Sequence, residues 1–378
     1  MTQCSWVTPS GWTARAMLLL AYLSAACSHT EPFSGPQGTD SPFDAGPPAR
    51  LTLNPAHDGN PSWLADGSGI LYSSQQLSRD DDDVCLAELP PTGGSQRSLV
   101  CDIPGERTTT DAAQSPAASA EGRLAVLSAG NGAIGGTSPV FLEIAIAPTL
   151  DGHDAQRVRS LPFTPAGGVG QDYAGHLRWL TAESLVYVGQ RFRVRRPCPD
   201  CMLDTLIDGT DVTILDLSSA AAAGTAVPGT ALATGVAPIL DGTAILFTLP
   251  NDSRVYRRVL ASGAVAVVHD FGAAGVARDL DAVGDRFAAV VGGRVAFSVD
   301  PAAGPTQWDS GGIVHVVDLD GETDLALDTP GRLYRRPAIS PDGTRVVAEG
   351  FPLIIQPFGT PDTTVSRSGD LYLFGAER

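Results

Sequence analysis

An all-β fold, six four-stranded antiparallel units closed into a six-bladed β-propeller, is predicted by three observations. A strand–turn–strand stretch, best written around Asp-Gly, recurs six times along the 378 residues. Each copy is followed by a third apolar stretch and usually a fourth. Leu51-Thr52-Leu53, just before the first copy, stands where it can pair with the three strands of the last copy and join the chain ends.

The copies can be justified in order. The first runs from Asn60 to Ser74, with Trp63 before the turn and Asp66-Gly67 in it. The second, Gln114 to Leu127, substitutes Glu121-Gly122. The third, His176 to Val188, keeps Trp179 and loses the glycine. The fourth, Val236 to Phe247, is shortened around Asp241-Gly242. The fifth, Ala277 to Val290, has Gly284-Asp285. The sixth, Arg336 to Ala348, is the plainest. Pro341 presets its own backbone angle, Asp342 can bond the backbone locally, and Gly343 can adopt positive φ without steric penalty. Ile339 and Val346-Val347 flank it with β-branched residues suited to a buried pleated surface. Val84–Leu89, Phe141–Ile146, Val212–Leu217, Val255–Leu260, Val314–Leu319 and Leu371–Phe374 supply the third strands. Units of about 40 to 60 residues with four short strands are the mark of propeller blades, which bury their faces only against neighbours.

The Pro-Asp-Gly hairpin, with Pro337 or Trp63 before it, resembles the WD-like repeat of TolB-type six-bladed propellers over residues 50–378. Related propellers stand before the α/β-hydrolase domain of prolyl-oligopeptidase-type peptidases. No such domain is expected here, and no Gly-x-Ser-x-Gly elbow occurs.

Composition fits one closed ring: 43% of residues are hydrophobic, and Gly (42) and Pro (29) are abundant. All 25 basic residues are Arg, a pattern of GC-rich coding. A net charge of −17 argues against nucleic-acid or anionic-membrane surfaces as partners, because both repel an acidic protein.

The N-terminal stretch gives an address. Arg15, the apolar Ala16–Leu23 and the small Ser24-Ala25-Ala26 read as a secretory signal over residues 1–26, too short for a membrane helix. Cys27 then stands at a bacterial lipoprotein processing site, with ordinary signal cleavage as the alternative. Residues 27–49, rich in Pro, Gly, Ser and Asp, read as a tether, and residues 50–378 as the propeller. The expected location is the bacterial cell envelope, lipid-anchored in the outer membrane and facing the periplasm or exterior.

Four further cysteines agree with export. Cys85 and Cys101 fall on adjacent third and fourth strands of the first blade, and Cys198 and Cys201 close a Cys-Pro-Asp-Cys loop in the third. A redox pair or half a zinc site is the functional alternative for that loop. Zinc needs two more ligands, and a redox pair belongs at a helix start in a βαβ unit. Two structural disulfides, Cys85–Cys101 and Cys198–Cys201, are expected.

Other motifs fail on context. Gly130-Asn131-Gly132-Ala133-Ile134-Gly135 matches a dinucleotide fingerprint but precedes a strand where a helix N-terminus is required. Arg79-Asp80-Asp81-Asp82-Asp83 lacks the spaced ligands of a calcium loop and reads as a solvated tip. The six His are scattered. One cluster stands out. Arg191, Arg193 and Arg195 alternate with Phe192 and Val194, and Arg196 follows. On a strand the three Arg share one face, either to meet a carboxylate-rich partner or as a solvated face paired with Asp200, Asp204 and Asp208.

The expectation is therefore a monomeric, lipid-anchored envelope propeller that binds or scaffolds protein or glycan partners through residues 190–210, without catalysis, metal or cofactor. The alternative is a metal-dependent propeller hydrolase or lactonase with its site in the central channel.

Overall fold

The computed structural model describes residues 48–52, 57–75, 84–100, 112–131, 140–161, 170–195, 204–218, 224–292, 311–329, 332–355, 363–365 and 369–376. Among these the only helix is two single 3-10 turns, at Leu240–Gly242 and Gly272–Ala274. The rest is six antiparallel sheets.

Strand β1 (Ala49–Arg50) opens the described chain. Blade 1 is β2 (Asp58–Trp63), β3 (Ile70–Gln75), β4 (Val84–Leu89) and β5 (Arg97–Val100). Blade 2 is β6 (Ala112–Ala118), β7 (Leu124–Asn131), β8 (Val140–Ala147) and β9 (Gln156–Leu161). Blade 3 has the longest strands: β10 (Gly170–Thr181), β11 (Ser184–Arg195), β12 (Asp204–Asp216), then the short β13 (Gly224–Ala226). Blade 4 is β14 (Gly235–Ile239), β15 (Ala244–Thr248), β16 (Arg254–Val259) and β17 (Val265–Asp270). Blade 5 is β18 (Val276–Val283), β19 (Arg286–Gly292), β20 (Ile313–Asp318) and β21 (Asp324–Leu327). Blade 6 is β22 (Arg332–Ile339), β23 (Arg345–Ile355) and β25 (Asp370–Gly375), with β24 (Thr363–Val365) on the far end of β23. All six expected hairpins and third strands are present.

The Asp-Gly turns form as their chemistry dictates. Asp66 Oδ1 accepts from the N–H (3.0 Å) and hydroxyl (2.6 Å) of Ser68, and Gly67 sits at φ 71°. In the sixth copy Asp342 Oδ1 accepts from the Thr344 N–H (3.1 Å), and Gly343 again has φ 71°. Tryptophan has a structural task. Trp63 Nε1 donates to the Ala338 carbonyl of the preceding blade, and Trp179 Nε1 to the Ala117 carbonyl, both at 2.9 Å. Arg345 and Arg123, one from each preceding blade, stack 4.8 Å over those two rings.

Closure of the ring follows the expectation, with a shift. The ladder pairs Ala49 with Leu373 and Arg50 with Tyr372, while the Leu51 N–H donates to the Leu371 carbonyl (2.7 Å). Six apolar clusters then fill the six seams between consecutive blades. Successive residues of one strand serve opposite seams. Ile70 and Tyr72 pack toward blade 6 and Leu71 toward blade 2, so second strands read as continuous apolar runs.

Because strands alternate in direction, the Asp-Gly turns and the third-to-fourth turns share one face of the ring. Second-to-third and blade-to-blade connections share the other. The far ends of β11 and β12 lie on that second face.

Candidate functional site: the inner ring and the third-blade hairpin

The first strand of each blade lines the axis, and five of the six are bulged at one level. Register breaks fall between Gly59 and Ser62, Gln114 and Ala117, Gly175 and Arg178, Arg278 and Leu280, and Arg335 and Ala338. β14 keeps an unbroken register. A bulge bends its strand and re-aims a side chain. Four non-glycine residues at these bulges have positive φ: Asn60 (53°), Ser115 (48°), His176 (62°) and Arg336 (47°). Such conformations cost on the order of 1 kcal/mol each and persist only where surroundings impose them.

Two of the four, His176 and Arg336, belong to a network across the axis. His176, on blade 3, lies 3.0 Å from Asp279 Oδ1 on blade 5, and Asp279 Oδ2 accepts the Arg336 N–H of blade 6 (2.9 Å). Two residues along β10 and β18, Arg178 Nε donates to Asp281 Oδ1 (3.0 Å), whose Oδ2 accepts the Ile339 N–H (2.9 Å). Arg336 Nη1 reaches Glu349 Oε2 (3.1 Å), and His57 Nε2 lies 3.0 Å from Glu349 Oε1. His57 Nδ1 accepts from the Gly369 N–H (3.1 Å), which leaves Nε2 as the donor. Gly59 makes room, since a Cβ there would stand 2.7 Å from Glu349 Oε2 and 2.8 Å from His57 Nε2.

Burial pushes the Asp279 carboxyl up, but the His176 hydrogen bond and charge, with the Arg336 N–H and charge, hold it well below the carboxylate range. Glu349 behaves likewise: burial raises it, and Arg336, His57 and Arg335 bring it below its ordinary value. Asp279, Asp281 and Glu349 are engaged by the chain's own cations and amides, and no trio of metal-ligating side chains occurs among the described residues.

The sequence-predicted residues lie elsewhere. β11 and β12 pair as far as Arg195 opposite Asp204, so most of residues 190–210, the expected binding stretch, is strand. Arg191 is half-exposed, and its Nε lies 2.6 Å from Asp211 Oδ2, a partner not among those expected. Burial raises the Asp211 carboxyl in spite of Arg191. Arg193 stands opposite Leu206 on the ladder. Cys85 is buried on β4 and disulfide-bonded. Cys27, Cys101, Cys198, Cys201 and Arg196 lie outside the described residues, as do Arg79–Asp83. The Gly130-Asn131 pair ends β7, the rest of the fingerprint lies outside the described residues, and the next described element, from Val140, is a strand.

Sequence reasoning missed Asp279, Arg336 and Glu349. Glu349 had a signal, a charge directly following the apolar Val346-Val347-Ala348. Arg336 and Asp279 had none beyond their place in the repeat.

No protein-family model matches the chain, and no curated protein matches it. Solved structures do. A gluconolactonase from Xanthomonas campestris superposes with a TM-score of 0.51 at 14% identity, covering 90% of this chain and 99% of its own. TolB from Acinetobacter baumannii gives 0.50 at 15% identity, covering 82% and 67%. At such identities the likeness establishes the fold, a six-bladed propeller, with both an enzyme and a TolB among its structural neighbours.

Proposed function

We propose that the protein is a binding or scaffolding propeller of a bacterial cell envelope, engaging carboxylate-rich protein or glycan partners through the third-blade hairpin, as a monomer and without catalysis. The observation that carries this reading is the hairpin stem. β11 and β12, at 12 and 13 residues, run with β10 onto the face of the long connections and hold Arg191 half-exposed there. A strand-built stem presents its side chains at little ordering cost on association. The inner ring supports the reading, because its carboxylates already serve the ring's own cations. A metal-dependent lactonase there would need Glu349 released from Arg336 and Asp279 from His176.

Replacing Arg191, Arg193 and Arg195 together with Ser is expected to weaken capture on immobilised poly-glutamate or polygalacturonate at least tenfold. Capture by the parent protein should fall as salt rises. Thermal stability should change little, because exposed ion pairs contribute roughly 0–1 kcal/mol. Unchanged capture, or metal-dependent lactone hydrolysis by the purified protein, overturns the reading in favour of an enzyme.

The envelope address rests on Cys27 after the small-residue stretch. Two or more acyl chains there would hold the protein stably at a membrane, which one does marginally. Expressed with its own leader in a bacterial host, the protein should partition into detergent and carry acyl mass that Cys27→Ser lacks. Equal, unlipidated masses refute the anchor. Non-reducing peptide maps of the same material should show Cys85–Cys101 and Cys198–Cys201, and free thiols or cross-pairing would refute that assignment.

A further inference from the structure

The outer strands of the blades differ in how they end their sheets. β5 carries Arg97, β9 carries Arg157 and Arg159, and β21 begins with Asp324. β13 has three residues and β1 only two, the second of them Arg50. Charge and shortness are the ordinary protection of a sheet edge. β17 is six residues long, and in Val265-Ala266-Val267-Val268-His269-Asp270 the only Arg, Asp or Glu is the last residue, so the stretch from Val265 to Val268 is uncharged. Val265 and Val267 are 47% and 49% exposed, and the strand pairs with β16 alone. The Val259 N–H donates to the Ala264 carbonyl (2.9 Å), so antiparallel alternation turns the amides of Ala266 toward β16 and those of Val265 and Val267 outward.

We propose that β17 is a docking edge for an extended acidic peptide, which adds to blade 4 as a fifth strand. Charge selects this occupant. β16 carries Arg254, Arg257 and Arg258 in a chain of net charge −17. Asp252 neutralises Arg254 through two hydrogen bonds of 2.8 and 2.9 Å. Arg258 donates to the Gly263 carbonyl (3.0 Å), and among the described residues neither it nor Arg257 has a carboxylate partner. Edge-to-edge pairing with a second copy would bring Arg257 and Arg258 against the same residues of that copy, like charge against like.

The ladder places Arg257 beside Ala266, Arg258 beside Val265 and Tyr256 beside Val267. A strand added about 4.8 Å beyond β17 would set a residue opposite Ala266, whose methyl leaves the Arg257 guanidinium a path across. A Glu there meets Arg257. Its two neighbours on the peptide point to the other face and cover Val265 and Val267. Main-chain bonds supply affinity and the alternating side chains supply selectivity. The ligand class is thus an extended segment alternating β-branched and acidic residues. This inference is independent of the third-blade hairpin.

The test uses the full chain and two end-blocked nonapeptides, one alternating Val and Glu, the other Val and Lys. The Val–Glu peptide should bind at least tenfold more tightly by calorimetry and protect the amides of Val265 and Val267 from hydrogen exchange. Val267→Pro removes one outward N–H, a substitution that sheet edges tolerate, and should weaken binding at least tenfold. Arg257→Glu leaves the backbone edge intact and should reverse the preference to Val–Lys, which keeps the test decisive if the proline variant unfolds. Equal binding of the two peptides, or protection elsewhere, overturns the proposal. Dimerisation abolished by Val267→Lys would assign the edge to a second copy and overturn it equally.

Discussion

Replacing Asp279 by Ala is expected to lower stability at neutral pH by about 3–5 kcal/mol, the scale for removing one partner of a buried pair. The carboxylate joins blades 3, 5 and 6 through His176 and the Arg336 N–H, and it is buried. Without it the buried imidazole loses its acceptor, the amide loses its bond, and the positive φ of Arg336 loses a restraint. Asp279→Asn should cost less, because an amide oxygen can still accept the Arg336 N–H. The loss should depend on pH with a definite sign. Asp279 and Glu349 have folded pKa values below their unfolded ones, so their contribution is present above about pH 5 and declines as pH falls below about 4. Asp370 and Asp211 act oppositely. Burial raises both, so their desolvation opposes folding at neutral pH and is relieved as acid protonates them. The difference between parent and Asp279→Ala should therefore shrink by roughly 1 kcal/mol between pH 7 and pH 3. Urea midpoints at the two pH values decide it. An equal difference at both, or no difference at pH 7, means that the network does not hold the ring.

The fold was legible because its causes are local. A glycine at φ 71° after an Asp that caps its own turn is written in adjacent letters at Asp66-Gly67 and Asp342-Gly343. The seams were legible for a related reason, since a strand covered on both faces must be apolar at every position, as Ile70-Leu71-Tyr72 is. The inner ring was not. His176 and Asp279 meet because bulges in β10 and β18 re-aim them, and a bulge adds one residue without changing composition. The fourth strands of blades 3 and 5 were the hardest to place, because β13 and β21 are short and half-exposed. Arg191 to Arg195 lie on the far end of β11. Arg191 meets Asp211 on the facing strand, a partner that sequence proximity did not suggest.

The other large effect lies at the closure, where two residues of β1 complete a ring of more than three hundred. A protein beginning at Asn54 should be less stable than one beginning at Pro47 by about 5 kcal/mol, a fall in Tm on the order of 10 °C. Several losses sum to this. The ladder of Ala49 and Arg50 on β25 disappears, with the Leu51 N–H bond to Leu371 (2.7 Å) and the Leu371 N–H bond to Thr52 Oγ1 (3.0 Å). At roughly 1 kcal/mol each, these backbone bonds supply most of the total. Arg50 also leaves Asp370, 2.7 Å away, whose carboxyl burial already raises. Ala49 and Leu51 leave the seam holding Trp63, Leu371 and Leu373, and about 1–2 kcal/mol of apolar burial goes with them. Truncation has a second consequence. β25 becomes an edge whose uncharged Leu371-Tyr372-Leu373-Phe374 is nearly all buried in the closed ring, an open template for pairing with another chain. The shortened protein should therefore associate as concentration rises, and a peptide of residues 47–53 added in trans should restore both Tm and the monomer. Calorimetry and light scattering on the two proteins test this. A Tm within 2 °C of the longer protein, with no association, would mean that the ring is held by its other five seams alone.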